Sequence, residues 1–463
     1  MKSKKIFNLA LLLVLVTMIM KSCSVQPSLK VGVGETVITP DKNIQMAGFA
    51  RSQMSTGIHD DLHARSLVIE DTHDNSVLLM TISLVGLSSQ MAEEISKQVY
   101  ENTGIPVGKI LISATHTHSG PRIEELSPYA DLVIKKCVES AVIAWNTRAP
   151  GRVGIESTEV FELGRNRRRL LYGGLHPDPE VGVIKIEDRK GRLLGIAFNY
   201  GCHPSGLDWQ NTLISEDWPY YAICGIKKAV GKDIWVAYFQ GAEGNINIGY
   251  SAELSAVGAE MPIRNYWYIE KKGSQMADAV LKVLSTIKTD NNHTVEVAHD
   301  NFEYPLRESY PLTIAEAEQS LSRAVETLEI LESNPEFHLS RTIDNARVGV
   351  FAENQKLNAA KRFFEENSLS KKITLQQHAI RIGDAVFVTF PGELFAEIGL
   401  KIKNISPYDK TFILGITPGS RGYLPAASEF IDGDYEVNGS IYGPQTEEAC
   451  IEFSTKLINE VAN

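Results

Sequence analysis

The segment Ser76–Leu84 reads Ser-Val-Leu-Leu-Met-Thr-Ile-Ser-Leu, nine positions without a charge. A half-exposed strand would place every second side chain in water. An unbroken run of this length instead suits a strand buried on both faces. Such a strand needs cover on each side, and the flanking sequence supplies it. Val31–Val37 and Ala64–Ile69 alternate as strands, Gln90–Thr103 follows a helical period, and Lys109–Ala114 is again a strand. Ser127–Trp145 reads as a helix. Gly151–Ser157, Glu180–Glu187 and Leu194–Tyr200 read as strands, Trp218–Val230 as a helix, and Ile234–Phe239 as a strand ending in a Gly-rich turn. Arg264–Ile287 is expected to form a long helix, and Thr294–Tyr304 a strand pair or one bent strand. Ile314–Leu331, with Thr313 as N-cap, and Arg341–Asn367 are charged helical segments expected to form a hairpin against the main body. Strands return at Thr374–Ile382, Ala385–Phe390 and Thr411–Thr417, with a helix at Leu394–Asn404. A long loop, Pro418–Gly443, leads to a last helix at Thr446–Val461. The fold class is mixed α/β: one large domain with mixed β-sheets flanked by helices and a helical-hairpin insertion over residues 313–368.

Lys plus Arg total 46 against 57 Asp plus Glu, a formal net charge of -11. A chain of that balance lacks the basic face a general nucleic-acid binder needs, so no nucleic-acid partner is expected. Five cysteines without a CxxC pair exclude a disulfide scaffold and a thiolate zinc knuckle. Cys137, Cys202, Cys224 and Cys450 are expected to be buried free thiols. At the N-terminus, three lysines within Met1–Lys5 precede the uncharged apolar stretch Ile6–Met20, and Ser22-Cys23 follows. This reads as a signal peptide over residues 1–23 with a loose lipobox. Cys23 would then carry a lipid anchor that touches the membrane. The mature chain, residues 24–463, would be exported as a periplasmic or membrane-anchored bacterial lipoprotein.

Chemistry-bearing residues gather where strands end. Thr115-His116-Thr117-His118-Ser119-Gly120-Pro121 follows the Lys109–Ala114 strand. If the strand continues, His116 and His118 point to one face, so both imidazoles could serve a metal, or one could bind while the other donates a proton. Asn199-Tyr200-Gly201-Cys202-His203-Pro204 and Phe390-Pro391-Gly392-Glu393 are two further strand ends, and Gly422-Tyr423 lies in the long loop.

The ordered set resembles the catalytic domain of the neutral ceramidase family. It starts with Gly34-Glu35-Thr36-Val37-Ile38-Thr39-Pro40 and Met46-Ala47-Gly48-Phe49-Ala50. Gly57-Ile58-His59, Ala64-Arg65, the THTHSGP segment, Asn166-Arg167, Gly201-Cys202-His203-Pro204, Ser215-Glu216-Asp217, Pro391-Gly392-Glu393 and Gly422-Tyr423 follow in order, with Tyr435 twelve residues later. The resemblance implies one catalytic Zn²⁺ per chain held by His116, His203, Glu393 and Tyr423, and a zinc-bound water as nucleophile. It further implies that His118, Arg167 and Tyr435 face the substrate. His118 would donate to the oxyanion or the leaving amine, and Arg167 would fix a substrate oxygen.

Two departures separate this chain from the family. Where ceramidases carry Gly-Asp-x-Ser-Pro-Asn, it has Gln240-Gly241-Ala242-Glu243-Gly244-Asn245-Ile246-Asn247-Ile248-Gly249. Asn247 stands at the serine position and Asn245 at the aspartate position. Asn247 cannot be a nucleophile but can donate hydrogen bonds to a substrate, and Glu243 is a conceivable general base. The family's C-terminal immunoglobulin-like domain is expected to be absent. The expected function is therefore an exported zinc-dependent hydrolase of a linear N-acyl amide. Its substrate would be a small molecule or a lipid, either an N-acylsphingoid base or a smaller polar N-acyl compound. A degenerate ligand-binding member and a zinc esterase are the competing readings.

Overall fold

The period-two pattern of the strands sorts their side chains into separate cores. Val77 and Leu79 join Leu67 and Ile69 in one cluster, while Leu78, Met80 and Ile82 join Ala64 and Val68 in another. The computed structural model describes residues 28–41, 43–49, 54–170, 174–249 and 264–462. The segment expected to be a signal peptide, with Cys23, lies outside them.

An eight-stranded sheet runs in the order Trp235–Gln240, Leu193–Tyr200, Glu180–Asp188, Ala149–Glu159, Lys30–Val37, His63–Glu70, Ser76–Ile82, Ile110–Ala114. Its two outermost pairs are parallel and its inner pairs antiparallel. A second sheet is ordered Val295–Pro305, Lys372–Ile382, Ala385–Thr389, Lys410–Leu414, and its last pair is parallel. Leu79, Ile155, Ala197 and Phe239 of the first sheet pack on Ile380, Phe387, Phe412 and Leu414 of the second. Helices Ser89–Thr103, Pro128–Thr147, Trp218–Val230 and Tyr266–Leu284 cover the outer face of the first sheet. Helices Ala396–Ile405 and Thr446–Glu460 cover that of the second. The result is four layers, helix–sheet–sheet–helix, and the uncharged Ser76–Ile82 strand is buried throughout.

The helical hairpin forms from Ile314–Ser333 and Ser340–Leu369. Thr313 closes a capping box with Glu316, as its position before the periodic run predicts. The hairpin docks through Ala317, Leu357 and Ala360, with Phe363 reaching the second sheet's outer core.

Four expectations change. Val295–Pro305 is a single strand in unbroken register with Lys372–Ile382, not a pair. The 264–287 helix is shorter, Tyr266–Leu284, because the Asn265 side chain caps it by accepting from Tyr268 N–H. The Pro418–Gly443 segment is not all loop: it holds the short strand Tyr423–Leu424, a 3₁₀ turn at Ala427–Phe430 and a helical turn at Asp434–Asn438. Cys137, Cys202 and Cys450 are buried free thiols, but Cys224 is exposed.

Parallel neighbours end at the same edge, so their C-terminal loops meet. Six such ends converge here, after Ile82, Ala114, Tyr200, Gln240, Thr389 and Leu414. The Asn199 amide ties the two sheets at this edge. Its Nδ2 donates to the carbonyls of Phe239, Gln240 and Ile413, the last from the opposite sheet.

Candidate metal centre

His116 lies beyond the end of its strand, so strand alternation does not place it. The chain turns at His116 itself, whose φ is 69°. A non-glycine residue held in that region carries strain that the surroundings must offset. Its N–H donates to Leu84 O at 2.8 Å, and its Nδ1 contacts Val85 O. A carbonyl only accepts, so Nδ1 carries the proton and Nε2 presents its lone pair. His203 is oriented in the same way: Nδ1 faces Glu243 O at 3.0 Å and Ile246 O at 2.9 Å. Burial, with the Arg167 charge adding, pushes the His203 pKa down to about 4, so the ring is neutral at physiological pH.

The Glu393–Leu394 strand pairs in parallel with Tyr423–Leu424. It sets Glu393 Oε2 at 3.2 Å from His203 Nε2 and 3.5 Å from His116 Nε2. Among the described residues, neither His203 Nε2 nor Glu393 Oε2 has a hydrogen-bond partner.

His118 completes a ring of three imidazoles. Its centroid lies 5.0 Å from that of His116 and 5.6 Å from that of His203, and ligand nitrogens of the three lie within 4.8 Å of one another. His118 N–H donates to Pro204 O at 2.9 Å, and its ring meets Phe49 edge-on. Gly48 (φ +92°) makes room for it: a Cβ there would fall 2.6 Å from three His118 carbons. Geometry therefore offers His118 as a third nitrogen ligand besides its expected substrate-facing place.

Tyr423 is half-buried, its hydroxyl accepting from Arg167 Nη2 at 3.2 Å. Burial and the Glu393 charge push its pKa well above the ordinary phenol value, so it ionises only if a cation is supplied. Tyr435 stands edge-on to it at 6.0 Å.

These groups open into a cavity of about 670 Å³ lined by His116, His118, Glu393, Tyr423 and Tyr435, and by one face of helix Ser340–Leu369. Four sequence-predicted residues are not among its lining residues: the fully buried His203, and Arg167, Asn247 and Glu243. Arg167 sits behind Tyr423, with Nε on Glu436 at 2.7 Å and Nη2 on Gly244 O at 2.7 Å. Asn247 is fully buried, its Oδ1 accepting from Gly249 N–H at 2.8 Å. Glu243 is also fully buried; burial and the neighbouring Glu393 charge push its carboxyl well above the usual range. Both effects favour the protonated acid, which works against the general-base expectation for Glu243. Asn245 serves the scaffold. Its Oδ1 accepts from Ala396 N–H and its Nδ2 donates to Glu397, fixing the start of helix Ala396–Ile405.

A buried charge cluster holds the histidine loop from below. Glu216 accepts from Ser83 Oγ (2.5 Å) and Arg65 Nη1 (2.7 Å) and lies 3.1 Å from His63 Nδ1. Asp60 accepts from Glu216 N–H and Ser215 Oγ. Burial and the Glu216 charge raise the Asp60 pKa to about 6. Ser215 then joins the loop through Thr117 Oγ1 and Ser119 O. The family-like segments containing these residues carry no sign of this role in their sequence. The helix-lined wall of the cavity is likewise unmarked by any local motif.

Fold and site together define a two-sheet α/β protein with a histidine–carboxylate cluster at its strand ends, whose three imidazoles could hold a metal ion. Residues 29–245 match the profile of the neutral/alkaline non-lysosomal ceramidase N-terminal domain. Neutral ceramidase A of Dictyostelium discoideum is 26% identical over 222 residues, 42% of this chain and 31% of the relative. The neutral ceramidase of Pseudomonas aeruginosa is 26% identical over 220 residues, 41% and 32% of the two chains. Neutral ceramidase 2 of Arabidopsis thaliana is 24% identical over 302 residues, 58% and 37%. The matched stretch thus spans about a third of these relatives. The crystal structure of the Pseudomonas aeruginosa neutral ceramidase superposes with a TM-score of 0.72 at 17% identity, covering 94% of this chain and 75% of that one.

Proposed function

We propose that this chain is an exported zinc-dependent hydrolase of linear N-acyl amides. The observation that carries the reading is the pair of imidazoles whose Nδ1 protons are committed to backbone carbonyls while their Nε2 atoms converge on the Glu393 carboxylate. That orientation is how a protein prepares ligands for a metal, fixing tautomer and ring direction before the ion arrives. His116, His203 and Glu393 would hold the ion, with Tyr423 or His118 beside it. Zinc would supply a Lewis acid and lower the pKa of a water at neutral pH.

The chain's own residues cover the remaining needs. His118 stands at the cavity wall, where it can donate to the amide oxygen or the leaving amine. Arg167, clamped by Glu436, fixes the Tyr423 hydroxyl rather than the substrate. The match of residues 29–245 to the ceramidase profile supports amide chemistry, and ceramide and smaller polar N-acyl compounds are the two substrate classes to test. Asn247, enclosed and hydrogen-bonded, takes no part as a nucleophile.

The test is amine release by residues 24–463 from a ceramide in detergent and from an N-acetylhexosamine, with and without a zinc chelator. Chelator-sensitive release from either, abolished in His116→Ala, supports the reading. Chelator-insensitive release that survives His116→Ala would sink it.

A further inference from the structure

The helix Ser340–Leu369 turns Phe351, Gln355, Asn358 and Arg362 toward the cavity. Spaced by four, three and four residues, they form one stripe along a single helix face. Two amides and a guanidinium make a polar wall, where an acyl chain would call for an apolar one.

Arg362 stands out on this wall. It is half-buried, its Nε is enclosed without a hydrogen-bond partner, and among the described residues it makes no hydrogen bond or ion pair. Its guanidinium lies against the loop carrying Tyr423: a Cβ on Gly422 would fall 2.8 Å from Nη2. The other arginines near the site are treated differently. Arg167 is bound to Glu436, and Arg168 to Glu429 and Glu436. Leaving an enclosed donor unpaired costs stability, so a bare guanidinium at a cavity wall is kept for an acceptor that arrives from outside. Its planar fork fits a carboxylate or another oxyanion.

The surrounding charges agree. Arg122 is exposed and lines the same cavity, and Lys356 also lines it although tied to Glu353 at 2.7 Å. Of the two lining carboxylates, Glu393 is turned to the imidazoles, which leaves Asp434 as the opposing charge.

We propose that the substrate carries an acidic group and that Arg362 receives it, beside the Tyr423 loop. The ligand class is an N-acyl compound bearing a carboxylate or similar oxyanion, an N-acyl amino acid being the simplest case. This inference rests on the amide-hydrolase reading for its chemistry, but its anion preference can be measured without catalysis.

The probes are N-octanoylglycine and N-octanoylethanolamine, which share the acyl chain and amide and differ in carboxylate against hydroxymethyl. Titration calorimetry on chelator-stripped protein removes any attraction of a metal for the acid. The acid is expected to bind at least about tenfold more tightly, a difference of about 1.4 kcal/mol, and to weaken as salt rises. Arg362→Gln should erase the preference while leaving the ethanolamide's affinity unchanged. Arg362→Lys, which keeps the charge but not the fork, should retain part of it. Equal affinities, a preference that survives Arg362→Gln, or no binding of the acid at millimolar concentration would overturn the proposal. Hydrolysis of both probes without a binding preference removes the acidic-substrate inference and leaves the hydrolase. A preference lost in Arg362→Gln without metal-dependent hydrolysis keeps the anion site and removes the hydrolase.

Discussion

The Nε2 of His203 and the Oε2 of Glu393 stand 3.2 Å apart, both enclosed and neither with a hydrogen-bond partner among the described residues. The two atoms come from different sheets, His203 from the end of Leu193–Tyr200 and Glu393 from the segment after Ala385–Thr389. Such a meeting is costly unless a cation lies between them. Purified protein should therefore carry about one zinc per chain by elemental analysis. Glu393→Gln keeps the shape but removes the charge. It should lower zinc affinity by at least about 100-fold, more than the loss of a ligand's supporting partner, and amide hydrolysis with it. Full zinc occupancy in that variant would exclude Glu393 from the ligand set.

Gly48 is set against His118 so closely that any side chain collides. Gly48→Ala adds a methyl 2.6 Å from the ring's root at a backbone angle disfavoured for alanine. A loss of about 1–3 kcal/mol in urea denaturation is expected. Activity should fall further than the folded fraction does, since the imidazole itself is displaced. An unchanged turnover would mean that His118 does not need this position.

Asp60 and Glu216 give the pH dependence of stability two opposite slopes. Glu216 is buried, yet Arg65 and His63 hold its pKa far below the ordinary value of 4.5; its contribution is complete above that value and fades only in strong acid. Asp60 is the reverse case. Its folded pKa, about 6 against 3.8 in the unfolded chain, means the folded state keeps a proton the unfolded state has released. Stability therefore declines as pH rises from about 4 to 6. Asp60→Asn should flatten that decline, seen as a smaller difference between unfolding midpoints at about pH 4 and about pH 7 than in the parent chain. An identical difference in both proteins would remove Asp60 as its source.

Glu243 has both carboxyl oxygens enclosed without a hydrogen-bond partner, and its pKa is pushed well above the carboxylate range. Glu243→Gln puts an isosteric neutral amide in place of a carboxyl group whose protonated form burial favours. Stability should change by less than about 1 kcal/mol, the scale of one neutral hydrogen bond, and the pH–rate profile should keep its shape. Loss of the profile's acid limb would show that Glu243 titrates during turnover after all.

His116, His203 and Glu393 are legible in the sequence because each follows a strand, and parallel strands deliver their ends to one edge; Tyr423 is legible only through the family-like Gly422-Tyr423 pair. The uncharged run of Ser76–Ile82 and the alternation of Ala64–Ile69 likewise announce the layered core. Three things are not legible. Nothing local distinguishes Arg362 from the other charges of an amphipathic helix; only the docking of the hairpin turns it to the cavity. Arg167 and Asn247 fall in motifs that suggest contact with substrate, whereas Glu436 and Gly249, distant or unremarkable in sequence, engage them instead. The helical turn Asp434–Asn438 hides in a segment of acidic and small residues whose composition reads as loop.

The Asn199 amide, reaching from Phe239 and Gln240 across to Ile413, makes the docking of the two sheets a condition for the site's existence. The candidate ligands are divided between the two sides of that seam. A nascent chain that has folded one layer would therefore own no complete ion site, and the proposed hydrolysis would be withheld until the whole body has closed. Ion uptake would then serve as a timestamp for the last step of maturation.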